Sequence, residues 1–84
     1  MMDCFITFRS VTFAQRGESE LKRAGIFCNV QRTPRWMEEQ GCGYSVRVRC
    51  KDISMAVDLL RHRQAPFRKV YLRGEDGNLE ETAL

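Results

Sequence analysis

At 84 residues the chain holds one domain with one small core, too small for a deeply enclosed active-site cavity. A hydrophobic fraction of 43% and a charged fraction of 30% fit a folded globule and exclude an intrinsically disordered chain. The net charge of +3 is compatible with anions without marking nucleic acid, and no apolar run approaches the roughly 20 residues of a membrane span.

The first residues, Met1-Met2-Asp3-Cys4, carry no basic stretch followed by an apolar one, so no secretory signal is expected and the expected location is cytoplasmic. In that setting the four cysteines, Cys4, Cys28, Cys42 and Cys50, are expected as reduced thiols. No two of them have the spacing of a zinc knuckle or a redox motif, and the single histidine, His62, lies among arginines. No metal and no cofactor is called for.

The segment Cys4-Phe5-Ile6-Thr7-Phe8 is short, apolar and β-prone, and predicts a first strand. Ser10 is placed to cap a helix in which Val11, Ala14, Leu21 and Ala24 form the apolar stripe and which Gly25 closes. Gly17 inside it is a weak point, costing up to about 1 kcal/mol relative to alanine. Ile26 to Gln31 alternates, with Ile26, Cys28 and Val30 on one face, and predicts the second strand. Thr33-Pro34 reads as a helix start, with Arg35 to Gln40 as one short helical turn before the hinge Gly41-Cys42-Gly43. Tyr44 to Cys50 alternates again, with Tyr44, Val46, Val48 and Cys50 inward and Ser45, Arg47 and Arg49 outward. Asp52 is placed to cap a second helix with the stripe Ile53, Ala56, Val57 and Leu60, which Pro66 stops. Arg68 to Arg73 predicts the fourth strand, with Val70 and Leu72 inward.

The order βαββαβ predicts an α+β fold, the ferredoxin-like plait: a four-stranded antiparallel sheet in the order 4-1-3-2 with two helices on one face. Residues 1–74 form this domain, and 75–84 are expected to be a flexible acidic tail. In this topology the end of strand one, the end of strand two and the start of strand three share one edge. That edge gathers Arg9 and Ser10, Arg32, Thr33 and Arg35, and Gly41-Cys42-Gly43, together with the start of the first helix. Helix N–H groups and arginines favour an anion there, and a thiolate is one. Cys42 is therefore the candidate nucleophile, with Gly41 and Gly43 leaving its sulfur unhindered and allowing unusual backbone angles. A turn residue with no chemistry is the plainer reading of the same tripeptide. Cys4, Cys28 and Cys50 are expected as core thiols. Cys50 and Cys4 fall at the far edge, on the order of 20 Å from Cys42, too distant to form a disulfide with it.

Four segments stand in order and at characteristic spacing: Phe8-Arg9-Ser10-Val11-Thr12-Phe13-Ala14, Leu21-Lys22-Arg23-Ala24-Gly25-Ile26, Thr33-Pro34-Arg35 and Gly41-Cys42-Gly43. Together, over about residues 4 to 73, they resemble the small bacterial family of selenium/sulfur carrier-like proteins. The resemblance implies that the Cys-Gly step, here Cys42-Gly43, is a reactive carrier thiol and that the work lies near sulfur or selenium trafficking.

The leading expectation is thus a carrier or accessory protein, not an enzyme. Cys42 accepts sulfur or selenium as a persulfide or selenopersulfide from a cysteine-desulfurase-like donor and hands it to an acceptor protein. The alternative is an interaction module. Phe5, Thr7, Phe27, Asn29, Arg47, Arg49, Lys69 and Tyr71 are expected on the sheet face away from the helices. Exposed Phe5, Phe27 and Tyr71 there would be covered by a second copy in a homodimer, or would stack single-stranded nucleic acid. The ribonucleoprotein signature is lacking, which disfavours nucleic acid. A thiol enzyme would need His62 as a base for Cys42, and His62 falls in an arginine-rich, solvated turn.

Overall fold

The computed structural model describes residues 3–33, 43–73 and 79–82. Its elements are β1 (Asp3–Phe8), α1 (Val11–Arg23), β2 (Cys28–Arg32), β3 (Tyr44–Arg49), α2 (Ile53–His62), β4 (Val70–Arg73) and β5 (Leu79–Thr82). The neighbours in the sheet are β2-β3-β1-β4-β5, and each pairing is antiparallel. The first four strands stand in the expected order, read from the other edge. The fifth extends the sheet beyond β4 within a stretch expected to be loose, with Tyr71 opposite Glu81 and an ion pair of 3.3 Å from Lys69 to Glu81.

Alternation in the strands sorts the side chains as the period of two requires. Cys4, Ile6 and Phe8 from β1, Cys28 from β2, Val46 and Val48 from β3, and Val70 from β4 enter one core. Both helices add their stripes to it: Ala14 and Leu21 from α1, and Ile53, Ala56, Val57 and Leu60 from α2. β1 is the middle strand, bonded to β3 along Asp3 to Phe8 and to β4 at Cys4 to Ile6. The Thr7 N–H donates to the Lys69 carbonyl and the Arg68 N–H to the Thr7 carbonyl, so the second pairing continues past β4 proper.

The helix ends follow local chemistry. The Ser10 hydroxyl accepts from the Phe13 N–H at 3.3 Å, capping α1. At its other end the Ile26 N–H donates to the Leu21 carbonyl and the Gly25 N–H to the Lys22 carbonyl, with Gly25 left-handed at φ 83°. This is a Schellman closure. α2 closes the same way: Ala65 donates to Leu60 and Gln64 to Arg61, with Gln64 in the left-handed position at φ 55°. At the start of α2, Asp52 occupies the cap position but its side chain makes no capping hydrogen bond. A 3-10 turn over Cys50–Asp52 precedes the helix, so the chain enters α2 already coiled and Asp52 lacks the extended backbone that capping uses. The same turn ends β3 at Arg49 instead of Cys50. β2 begins at Cys28, because Ile26 is spent in the closure of α1.

Gly17 is no defect in this packing. A Cβ built on it would lie 2.7 Å from the Phe8 ring and 3.6 Å from Leu60. The glycine lets α1 settle onto the end of β1. Gly17→Ala is therefore expected to destabilise by about 1–2 kcal/mol, because overpacking at about 1–3 kcal/mol outweighs a propensity gain of at most about 1 kcal/mol. Urea denaturation reads this directly, and a stabilised variant would refute the close fit. Gln64→Gly should act oppositely, adding roughly 0.5–1 kcal/mol by relieving a left-handed residue that has a Cβ.

Candidate functional site

Three chain segments converge at one end of the sheet. Phe8 pairs with Tyr44, Tyr44 pairs with Arg32, and the Thr33 N–H donates to the Gly43 carbonyl at 2.9 Å. Arg9 and Ser10, Arg32 and Thr33, and Gly43 therefore lie at the same end, where α1 also begins. Gly41, Cys42 and Arg35 lie outside the described residues, as does the helical turn expected over Arg35 to Gln40.

The polar groups at this end are unequal. Arg9 and Arg32 are exposed. The Ser10 hydroxyl is engaged as the helix cap, and the Ala14 N–H is bonded to the Ser10 carbonyl. The Val11 and Thr12 N–H groups, at the positive end of the helix, have no partner among the described residues. Thr33 is buried, and so is Ser45, which had been expected on an open face. The hydroxyl oxygens of both are buried without a hydrogen-bond partner. Such a group costs about 1–3 kcal/mol while unpaired. Gly43 has open space where a Cβ would project and does not adopt a left-handed φ. Its lack of a side chain keeps room at this end; the unusual backbone angle expected for it is not present.

At the opposite end the structure corrects the expectation for two cysteines. Cys4 and Cys50 are joined in a disulfide, with Cα atoms 5.0 Å apart. The period of two carries Cys50 to the same sheet face as Val46 and Val48, and Val48 is the partner of Cys4. The sequence placed both residues inward and at the far edge; the expected compartment alone argued against joining them. The 3-10 turn brings Cys50 back toward Cys4. Cys28 is the free cysteine among the described residues and is buried as expected. Its thiol is pushed above its ordinary value of 9.0 by burial first and by the Glu18 carboxylate second, with Lys22 opposing. Glu18 itself accepts the Val30 N–H at 2.9 Å, covering a donor of the edge strand β2.

The second sheet face is not the open aromatic platform expected. Phe5 is only 2% exposed and Thr7 is buried within one chain, while Tyr71 is half-buried. Phe27, at 65% exposed, precedes β2 and lies under the Arg49 guanidinium, 5.2 Å from ring centre to charge. These two line a cavity of about 220 Å³ with Asn29, Arg47 and Asp3. His62 is exposed at the end of α2, next to Arg63, which is tied to α1 through Glu20 at 3.6 Å. Among the described residues no three His, Cys, Asp or Glu side chains gather as metal ligands, and no helix is long and apolar enough to cross a membrane.

A comparison with protein-family models matches residues 3–72 to the family described as "Putative Se/S carrier protein-like". The chain belongs to that family. The matched span runs from β1 into β4 and so takes in both ends of the sheet. No curated protein and no solved structure matches the chain. Membership in a Se/S carrier-like family directs attention to sulfur atoms, and the three described cysteines divide into a bridged pair and a sealed thiol.

The sealed thiol is directly testable. A folded thiol that keeps its proton where the unfolded one ionises stabilises the fold below about pH 9, the unfolded value, and loses that contribution as pH rises through the folded value. Cys28 should resist iodoacetamide in the native chain at pH 7 and react once denatured, as peptide mass will show. Cys28→Val should flatten the decline of stability above pH 9. Rapid native alkylation of Cys28 would contradict its burial.

Proposed function

We propose that this domain carries one sulfur or selenium atom on Cys42, between a cysteine-desulfurase-like donor and an acceptor protein in the cytoplasm. We further read the βαββαβ order as a ferredoxin-like plait that serves as the scaffold. The observation that supports the carrier reading is the family match, taken with the chemistry of the sheet end to which Cys42 is attached through Gly43. The start of α1, exposed Arg9 and Arg32, and the unpartnered hydroxyls of Thr33 and Ser45 lie at that end. The helix start and the two arginines favour an anion, and a persulfide or selenopersulfide is an anion at neutral pH.

The transfer needs no cofactor in this chain. The Cys42 thiolate attacks the terminal sulfur of a donor persulfide, a new S–S bond forms, and the donor's inner sulfur departs as a thiolate. A nucleophile of the acceptor then attacks the terminal atom and Cys42 returns to the thiolate. Such a relay requires that both partners reach the atom, and Gly43, to which Cys42 is bonded, stands at the end of the sheet. The alternative, a face that dimerises or stacks nucleic acid, loses its central aromatic: Phe5 is already covered within one chain.

The test is intact-mass measurement after incubation with a cysteine desulfurase, cysteine and pyridoxal phosphate. A gain of one sulfur on the wild type and none on Cys42→Ser is expected. Equal labelling of the two proteins would remove Cys42 from the carrier role.

A further inference from the structure

We propose that the Cys4–Cys50 disulfide is a second loading site, opened by a hydrosulfide or hydroselenide ion that leaves one sulfur or selenium atom on Cys50. The proposal rests on the sulfur-handling reading above and adds to it a second cysteine and a reduced, inorganic source of cargo.

The pair is asymmetric in a way that decides the direction of attack. Cys4 has no exposed surface and lies in the middle strand. Cys50 opens the 3-10 turn beyond β3 and is only partly buried against the core. Which sulfur of a disulfide is attacked depends on access, so an incoming nucleophile meets the Cys50 sulfur first. The electron pair of the hydrosulfide forms a bond to the Cys50 Sγ, and the Cys50–Cys4 bond breaks. Its electrons leave on the Cys4 sulfur, which takes the proton of the incoming hydrosulfide. The products are a Cys50 persulfide anion and a Cys4 thiol. The incoming atom is oxidised to the sulfane level and the disulfide accepts the same two electrons, so no further oxidant enters. Each oxidised chain takes up one atom.

The surroundings tolerate such an opening. A disulfide in a reducing compartment, where the carrier reading puts this chain, is usually transient and reactive. Breaking it frees no element, because β1 stays hydrogen-bonded to β3 on one side and β4 on the other. The Cys4 sulfur is left inside the core, where an unpaired anion is costly, so it remains a protonated thiol and attacks the new persulfide slowly. Cys28 is set apart: it pairs with Val48, and Val48 pairs with Cys4, so two strand spacings of about 4.8 Å separate the cysteines. That exceeds the roughly 7 Å within which Cα atoms can be bridged.

The experiment uses the full chain, oxidised, incubated without air with sodium hydrosulfide and, in parallel, with hydroselenide. Intact mass, peptide mapping and release of thiocyanate or selenocyanate by cyanide are read. About one cyanide-labile atom per oxidised chain is expected, mapped to Cys50 and retained in Cys42→Ser. Wild type reduced beforehand should gain none, which needs no variant to fold, and Cys50→Ser should gain none. A gain of two hydrogens alone, meaning simple reduction, overturns the proposal. So does equal loading of pre-reduced protein. Loading that disappears in Cys42→Ser also overturns it while leaving the Cys42 carrier intact. Loading at Cys50 together with failure of the desulfurase to load Cys42 removes the carrier reading for Cys42 and keeps this site.

Discussion

Phe8 seated against Gly17 fixes the arrangement on which both ends of the sheet depend. The ring fills the space a Cβ would take, with Leu60 of α2 beside it. One contact therefore ties β1, α1 and α2 at a single point of the core. It also sets how closely the middle of α1 lies on the sheet. Phe8 is the last residue of β1 and the partner of Tyr44, so the fit holds the beginning of α1 beside the beginning of β3. The helix start and the attachment point of Cys42 share one end because α1 begins directly after β1, whose last residue pairs with Tyr44 at the start of β3. The local cost in propensity, up to about 1 kcal/mol, is offset by burial of an aromatic ring.

With that geometry fixed, the sheet has two chemically distinct ends roughly 20 Å apart along β3. One end is rich in hydrogen-bond donors: the start of α1, Arg9, Arg32, and two buried hydroxyls that lack partners. The other holds the bridged sulfurs of Cys4 and Cys50. The core between them is apolar and closed, and β1 crosses it with every residue from Cys4 to Phe8 buried. A bridge that closes a loop of this length, with partners 46 residues apart, would contribute about 4 kcal/mol by chain entropy. For so small a core that is a large share of total stability.

Much of this was legible in the sequence because the strands and stripes obey simple periods. Val46 and Val48, the stripe Ile53, Ala56, Val57 and Leu60, the Ser10 cap and the Gly25 closure all follow from spacing and backbone preference. Three things were not legible, each for a physical reason. Gly17 looked like a fault because propensity is local and the Phe8 ring that needs the space is nine residues away in sequence. Ser45 and Phe5 looked exposed because alternation assigns a face, and a face does not reveal what covers it. The Cys4–Cys50 bridge does not follow from the period alone, although the period puts both residues inward and at one edge. Strand period brings them near, and only the 3-10 turn over Cys50–Asp52 closes the remaining distance. Cys42 stands out in the sequence by its glycine neighbours and by the order of the motifs around it.

Under the carrier reading proposed above, the position of Cys28 bears on how a chain with four cysteines avoids losing a carried atom internally. Thiols exchange with persulfides wherever geometry allows, so an extra reachable cysteine would scatter a carried atom. Cys28 is kept from this in three ways. Val48 stands between it and Cys4 in the same row of the sheet. Burial and the nearby Glu18 carboxylate keep its thiol protonated, and the thiol is the unreactive form. Its sulfur donates instead to the Glu18 carbonyl, at 3.7 Å, in α1. Glu18 thus serves two ends at once: its carboxylate covers the Val30 N–H of the edge strand, and its charge suppresses the thiolate two residues earlier in the same strand. The same carboxylate that finishes the sheet edge holds the one free described cysteine out of the chemistry.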